Sequence, residues 1–423
     1  MLLITSVVLC GILLWNIIVR KNWFTPLIFW CAIWLLSTFF VWLNPFGMIE
    51  ISEKAVLIIS LGIFSFIVGT YNVTGRRFTV KMAGKKSELW DGDSFNPLIS
   101  YGLLVVTSLF NLTLTIAALN MLRGGMKYYR IRDVLFGYDD IGISFFASSF
   151  MSTFYSWIVA PGMSVLLIGL LLNLFNKHLS RIFNIFTLLD LTMYIFSSSG
   201  RMLLLHAVVF LYFIYKYYNF EIPRRYKRKL VYGIIIGILF LLIITFYRTK
   251  DNAAVPSLYS YFSIDYPLFS YWMDYVDAQG KFYYGNAFFR GILEGMNFLF
   301  GKFGFSTPDF WEMQEVFNLV QNKWIQIFPN NWYNAYVSCF FYFYLDFGVI
   351  GVFIGSYFFG KISSAVYNVL RQKNTLRSLA VYMVMIQFIV DSFIRWRLGT
   401  FSAVVTLILA FLICTKRSRK KDF

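Results

Sequence analysis

Charge is scarce in this sequence: Asp, Glu, Lys and Arg make up 14% of its 423 residues, against 58% apolar residues. Soluble domains carry about 25% charged and about 45–50% apolar residues, so a water-soluble fold has nowhere to bury this much apolar surface. Histidine is scarcer still. His178 and His206 are the two in the chain, too few for a conventional His-rich metal site, and no metal or other cofactor is expected. Cysteine is limited to Cys10, Cys31, Cys339 and Cys414, each inside an apolar run and none in CxxC spacing. That pattern fits neither a disulfide framework nor a thiolate zinc cluster, and the four read as small buried hydrophobes. Repeats of fixed period and low-complexity tracts are also missing, which leaves one continuous membrane-embedded unit over 1–423 rather than an array.

Long apolar runs dominate instead. Crossing ~30 Å of hydrocarbon takes roughly 20 residues in a helix. Runs of about that length fall at about 2–19, 25–43, 54–71, 98–121, 149–173, 182–199, 202–220, 230–247, 334–359, 378–394 and 398–414. The expected fold class is therefore all-α, a polytopic membrane protein of about eleven transmembrane helices. The first run lacks a basic leader and a small-residue cleavage site and ends at Arg20-Lys21, so it reads as a retained span rather than a cleaved signal peptide.

The net charge of +17 invites a nucleic-acid reading, which the placement of the charge removes. With the C-terminus in the cytoplasm, the stretches 20–24, 72–97, 174–181, 216–229, 360–377 and 415–423 share one side and hold 24 of the 38 Lys and Arg against five acids. The other side is nearly balanced, as the positive-inside rule requires. The basic excess is topology and contact with anionic lipid; nucleic acid is not an expected partner. Arg224-Arg225-Tyr226-Lys227-Arg228-Lys229 reads as a cytoplasmic anchor.

Two loops on the far side are long enough to carry chemistry. Loop 122–148 holds Arg123, Lys127, Arg130 and Arg132 beside Asp133, Asp139 and Asp140. Loop 248–333 is by far the longest, and its density of Tyr and Trp, from Tyr259 and Tyr261 to Trp324 and Trp332, argues for ordered structure. Thr307-Pro308-Asp309 is a helix start, and Met313, Val316, Phe317, Val320, Trp324 and Ile327 follow at helical spacing. An amphipathic helix there either lies on the membrane surface or closes over a cavity; a plain aromatic belt is the bland alternative.

Ionisable residues within or at the edge of spans are costly, so each is a functional candidate: Asp190, Arg201, His206, Arg248, Asp346, Asp391, Arg395 and Arg397. Asp391 and Arg395, four apart, suit a structural pair on one helix face. His206 suits a hydrogen-bonded core position. Arg201 follows Ser197-Ser198-Ser199-Gly200 in a tight turn between two spans. Small residues there let backbone amides approach a ligand and the guanidinium grips phosphate in two-pronged fashion, whereas the bland reading is an arginine snorkelling to the interface. Glu294 lies four residues after Arg290 on one helical face and is the candidate proton acceptor, against the bland reading of a surface ion pair.

The Ser199-Gly200-Arg201-Met202 turn, the long outer loop, and Asn334-Ala335-Tyr336-Val337-Ser338 leading to Tyr344-Leu345-Asp346-Phe347-Gly348 together resemble bacterial oligosaccharide repeat-unit polymerases of the O-antigen and capsule pathways, the Wzy type. The resemblance covers most of the chain in topology, while its local motifs are short. It implies a GT-C-like glycosyltransferase of the bacterial inner membrane, which transfers a glycan from one undecaprenyl diphosphate carrier onto the sugar of another on the outer side. Its partners would be the lipid-linked oligosaccharide, membrane lipid, and the chain-length regulator and flippase of the same pathway. Family members rely on outer-face arginines, which correspond here to Arg201 and to Arg248 or Arg290. The expected catalytic set is Arg201, Arg290 and Glu294. The expected substrate-binding set is Arg130, Arg132, Ser199, Gly200, Arg248, Asn334 and Tyr336. The competing readings are an O-antigen ligase-like transferase, disfavoured by the lack of a histidine in the long loop, and a lipid-linked oligosaccharide flippase or other transporter. Transporters usually show inverted repeats and paired broken helices, and the sequence displays neither.

Overall fold

The computed structural model describes residues 1–74, 93–136, 149–176, 178–198, 200–217, 224–248, 254–304, 308–329 and 331–416. In chain order the helices are α1 (Leu2–Leu14), α2 (Pro26–Leu43), α3 (Glu53–Thr74), α4 (Pro97–Arg123), α5 (Tyr128–Leu135), α6 (Ser149–Phe154), α7 (Ala160–Asn176), α8 (Arg181–Ser198) and α9 (Arg201–Tyr217). They continue as α10 (Arg224–Arg248), α11 (Ala254–Tyr261), α12 (Asp265–Gln279), α13 (Arg290–Phe300), α14 (Pro308–Asn322), α15 (Ser338–Lys373), α16 (Leu376–Val390) and α17 (Phe401–Leu412). Strands are few: β1 (Asp93–Phe95) pairs antiparallel with β4 (Cys414–Lys416), and β2 (Ile325–Phe328) with β3 (Asn331–Tyr333).

A helix occupies each of the eleven apolar segments. Among the described residues, seven stretches are long and apolar enough to cross a membrane: Leu2–Val19, Pro26–Leu43, Glu53–Tyr71, Pro97–Arg123, Phe150–Phe175, Ser338–Lys373 and Leu376–Phe393. Local chemistry sets several of their ends. Pro26 and Pro97 each stand in the first turn, where the missing N–H costs nothing, and the Asn96 side chain accepts from the Ile99 amide. Asn44, in the left-handed region, closes α2. Large apolar side chains stay exposed along α1 (Leu3, Ile4, Val7), α8 (Ile185, Phe186, Leu189), α10 (Ile236, Leu239) and α15 (Ile350, Phe353, Ile354). Water would not tolerate stripes of this extent, and lipid does. The chain is a helical membrane protein.

It divides into two compact units. The first comprises Met1–Val80, Leu258–Arg371 and Met385–Val404. Trp30 stacks on Phe66 at 3.8 Å between ring centroids, Phe359 meets Trp30 edge-on, and the Trp34 indole donates to Ser392 Oγ. α3 and α15 touch backbone to backbone, since a Cβ on Gly69 would stand 2.3 Å from the Tyr357 carbonyl oxygen and one on Gly360 2.4 Å from that of Phe66. Small residues at a crossing of this kind are how membrane helices gain contact without a hydrophobic driving force.

The second unit comprises Lys81–Ser257, Gln372–Val384 and Val405–Phe423. Here α4 crosses α8 over a buried carboxylate. Asp190 accepts from Thr107 Oγ1 at 2.6 Å and Asn111 Nδ2 at 2.7 Å, so it clamps two helices together and is fully enclosed.

α15 is broken. Phe347 and Gly348 leave helical geometry, with Gly348 at φ +59°, and the carbonyls that the break releases find amides in the long loop. Leu345 O accepts from Tyr283 N and Asp346 O from Tyr284 N, while the Asp346 carboxylate accepts from Ala287 N at 2.9 Å and Phe288 N at 2.7 Å. Asp346 therefore pins the loop to the membrane helix. Asp346 and Gly348 mark the break in the sequence, but an unbroken span can carry either residue, so the spacing alone does not predict it.

Candidate functional site

The α8–α9 turn gathers the best candidate anion site, within the second unit. α8 ends at Ser198, whose Oγ accepts from Gly200 N, and α9 starts at Arg201. Arg201 is half-buried and donates through an Nη to Ser257 Oγ at 3.3 Å. A Cβ on Gly200 would stand 2.9 Å from Ser198 Oγ, so the turn keeps its shape with glycine there. The amides that open α9 carry the positive end of a helix dipole, and Arg201 adds a full charge at the same place. Ser199 lies outside the described residues.

A second basic element is docked beside this turn. α5 buries Ile131 and Leu135 against Ala118 of α4, and the Tyr128 hydroxyl donates to Phe196 O at 3.1 Å, five residues before Arg201. That leaves Arg130 exposed and Arg132 half-buried on α5. The arginines of the shorter loop and Arg201 thus belong to neighbouring elements, although 122–148 and 201 are far apart in sequence. Arg248 ends α10, and its side chain lies outside the described residues. His206 is buried on α9 with its ring 6.2 Å from that of Phe210, one turn on.

The remaining expected residues belong to the first unit, and most are already occupied. Arg290 is 6% exposed; its Nε donates to Gln314 Oε1 at 2.8 Å, an Nη donates to Gly399 O at 3.0 Å, and its guanidinium lies 4.8 Å from the centre of the Phe317 ring. Glu294 Oε2 accepts from Phe401 N, and among the described residues no ion pair joins it to Arg290. The two share a helix face as expected, but that face holds α13 against the segment before α17. The Asn334 amide donates to Gln321 O and fastens the end of α14, and the Tyr336 ring meets Tyr261 edge-on. Asp391 pairs with Arg397 at 2.6 Å, not with Arg395, because regular helix stops at Val390 and a tight turn redirects the chain.

α14 also departs from expectation. It ends at Asn322, and Ile327 falls in β2, so the apolar spacing runs on past the helix. Met313, Phe317 and Val320 are buried within the protein rather than turned to a membrane surface. Its other side borders a half-open cleft of about 550 Å³ that sequence spacing did not reveal. Tyr275, Gln279, Lys281, Tyr283, Glu312 and Glu315 line it. Lys281 pairs with Glu312 and, at 3.5 Å, with Asp309, and its hydrogen bond to Glu312 raises the ammonium pKa. Burial raises the phenol pKa of Tyr283, which stays a neutral donor. Glu315 is exposed and forms no ion pair among the described residues. Phenol faces beside carboxylate, amide and ammonium groups suit a hydroxyl-rich ligand. Thirty-one residues separate Lys281 from Glu312, so no local rule joins them; the crowding of tyrosines between 271 and 284 was the available signal.

No family model matches the chain, and no curated protein or solved structure matches it. Among the described residues no group of His, Cys, Asp or Glu is placed to hold a metal ion.

Proposed function

We propose that this membrane protein is a polysaccharide polymerase of about eleven spans, with residues 248–333 on the outer side of a bacterial inner membrane and the C-terminus in the cytoplasm. It joins undecaprenyl-diphosphate-linked repeat units into O-antigen or capsular polysaccharide. The observation that carries the reading is the arginine-headed start of α9, where Arg201 and the Ser257 hydroxyl meet at the first amides of the helix, beside arginine-bearing α5. A diphosphate at the membrane edge needs planar, two-pronged donors and helix-end amides, and this turn offers both.

In the reaction, an acceptor-sugar hydroxyl forms a bond to the anomeric carbon of the donor while the bond from that carbon to the diphosphate oxygen breaks. The carrier leaves as undecaprenyl diphosphate and the hydroxyl proton passes to a base. Arg201 stabilises the charge gathering on the leaving diphosphate. Within the first unit, the cleft beside α14 suits a glycan, its tyrosines offering ring faces to sugars and Glu315 a carboxylate that serves no backbone amide, whereas that of Glu294 already serves Phe401. The break in α15 favours an enzyme over a transporter, because the freed carbonyls that a transporter would offer to an ion are filled by the loop's own amides.

The test is deletion of the gene, complementation with variants, and electrophoresis of surface polysaccharide. Deletion removes the long ladder and keeps a single capped repeat unit; loss of both bands would instead mark a flippase or ligase. Arg201→Lys keeps charge but not the planar fork, and loses most of the ladder at normal protein level, whereas Arg228→Lys on α10 keeps it. A full ladder in Arg201→Lys would return Arg201 to a snorkelling role.

A further inference from the structure

α13 is built inside out for a helix in a water-exposed loop. Its polar and small residues face the protein: Arg290 reaches Gln314 and Gly399, Glu294 receives the Phe401 amide, and Asn297 is buried. Gly291 and Gly295 bring the helix against the backbone that opens α17. A Cβ on Gly291 would stand 2.5 Å from Leu398 O, and one on Gly295 2.3 Å from the Phe401 ring. The opposite face carries Phe289, Ile292, Leu299, Phe300 and, just beyond, Phe303, which are 49–86% exposed. Between Gly291 and Gly301 the only charged residue is Glu294, and it turns inward.

The position of this face identifies what covers it. The segment leading into α13 is fixed to the break in α15 through Tyr283, Tyr284, Ala287 and Phe288. Tyr284 meets Phe347 edge-on at that break, and immediately beyond it α15 exposes Ile350, Phe353, Ile354 and Phe358. The apolar face of α13 therefore starts where a lipid-facing stripe of a spanning helix starts. A protein partner would be met by a polar rim and hydrogen-bonding groups. The described side chains of this face offer none, and acyl chains require none.

We infer that Phe289–Phe303 is a membrane-interface segment, with α13 lying in the leaflet on its own side of the membrane and holding the long loop down on the bilayer. An in-plane helix of this kind sinks about 5–10 Å, to the boundary between headgroups and acyl chains. The inference is independent of the proposed reaction.

The test uses the full chain in lipid nanodiscs, with Cys10→Ser as background and a polarity-sensitive fluorophore on Leu299→Cys. The same label on Asn318→Cys, an exposed polar position of α14, is the aqueous reference. Lipid carrying a nitroxide high on its acyl chain quenches the label at 299 about fivefold more than the label at 318, and aqueous iodide shows the reverse order. Phe300→Cys repeats the measurement if Leu299→Cys fails to fold. Iodide quenching at 299 equal to that at 318 overturns the inference. So does shielding from both quenchers together with disulfide-linked dimers through position 299, which would make the face a contact between copies.

Discussion

Asp265 opens α12, is 1% exposed, and faces Ser37 of α2, whose hydroxyl lies 3.0 and 2.9 Å from its two carboxyl oxygens. Burial raises its pKa from 3.8 to about 8. Between those two values the docked carboxyl keeps a proton that the undocked one has lost. Docking is therefore strongest at low pH and weakens as pH rises through the window. Each pH unit inside it costs up to about 1.4 kcal/mol, so going from pH 5.5 to 7.5 costs about 3 kcal/mol, or about a hundredfold in the opening equilibrium of α12. Asp265→Asn keeps the shape, donates to Ser37 Oγ and accepts from it, and has no proton to lose. Hydrogen exchange of the peptide covering 265–279, corrected for the intrinsic effect of pH, reads the difference. Wild-type protection falls by up to that factor over the two pH units, while the variant's stays level. An equal fall in both proteins would refute the argument, as would loss of protection in the variant at every pH.

Gly291→Ala drives a methyl group into the Leu398 and Thr400 backbone and destabilises the docking of α13 by about 1–3 kcal/mol, seen as faster proteolysis within 289–303, while Gly301→Ala, in open space, leaves it unchanged. Asp190→Ala strands a buried N–H of Asn111, while the Thr107 hydroxyl falls back on Leu103 O, and costs about 1–3 kcal/mol, lowering the unfolding temperature in detergent, whereas Asp190→Asn recovers part of it. For the tyrosine-lined cleft, Glu315→Gln shortens the polysaccharide ladder while Glu294→Gln and His206→Gln retain it at normal protein level; a full ladder in Glu315→Gln removes the Glu315 carboxylate from glycan binding.

Runs of apolar residues made the spanning helices legible because lipid imposes one requirement, roughly 20 apolar residues per crossing, that any sequence must display. The Gly200-Arg201 turn was legible for a related reason: polar residues between two closely spaced spans stand out. What stayed hidden depends on contacts between distant segments. Arg290 and Glu294 share a face as their spacing requires, yet each bonds to the segment 399–401 rather than to the other. Asp391 reached Arg397 instead of Arg395 because the helix ended first. In α14 the apolar period ran on to Ile327 although the helix ended at Asn322, since the strand that follows also buries alternate residues. The inverted face of α13 did leave a trace, a single acid between Gly291 and Gly301 flanked by phenylalanines, which helical spacing alone does not distinguish from a core helix.

The break in α15 has a consequence for how such proteins are recombined. Tyr283, Tyr284, Ala287 and Phe288 supply amides that Leu345 and Asp346 lack a helical partner for, so a stretch of loop completes the hydrogen bonding of a membrane helix. Grafting 248–333 onto a foreign set of spans, or replacing it with a short linker, would leave polar backbone and a carboxylate facing a low-dielectric interior. The smallest exchangeable module is then the loop together with the α15 break, and chimeras with junctions between residues 288 and 345 will not insert as intact proteins.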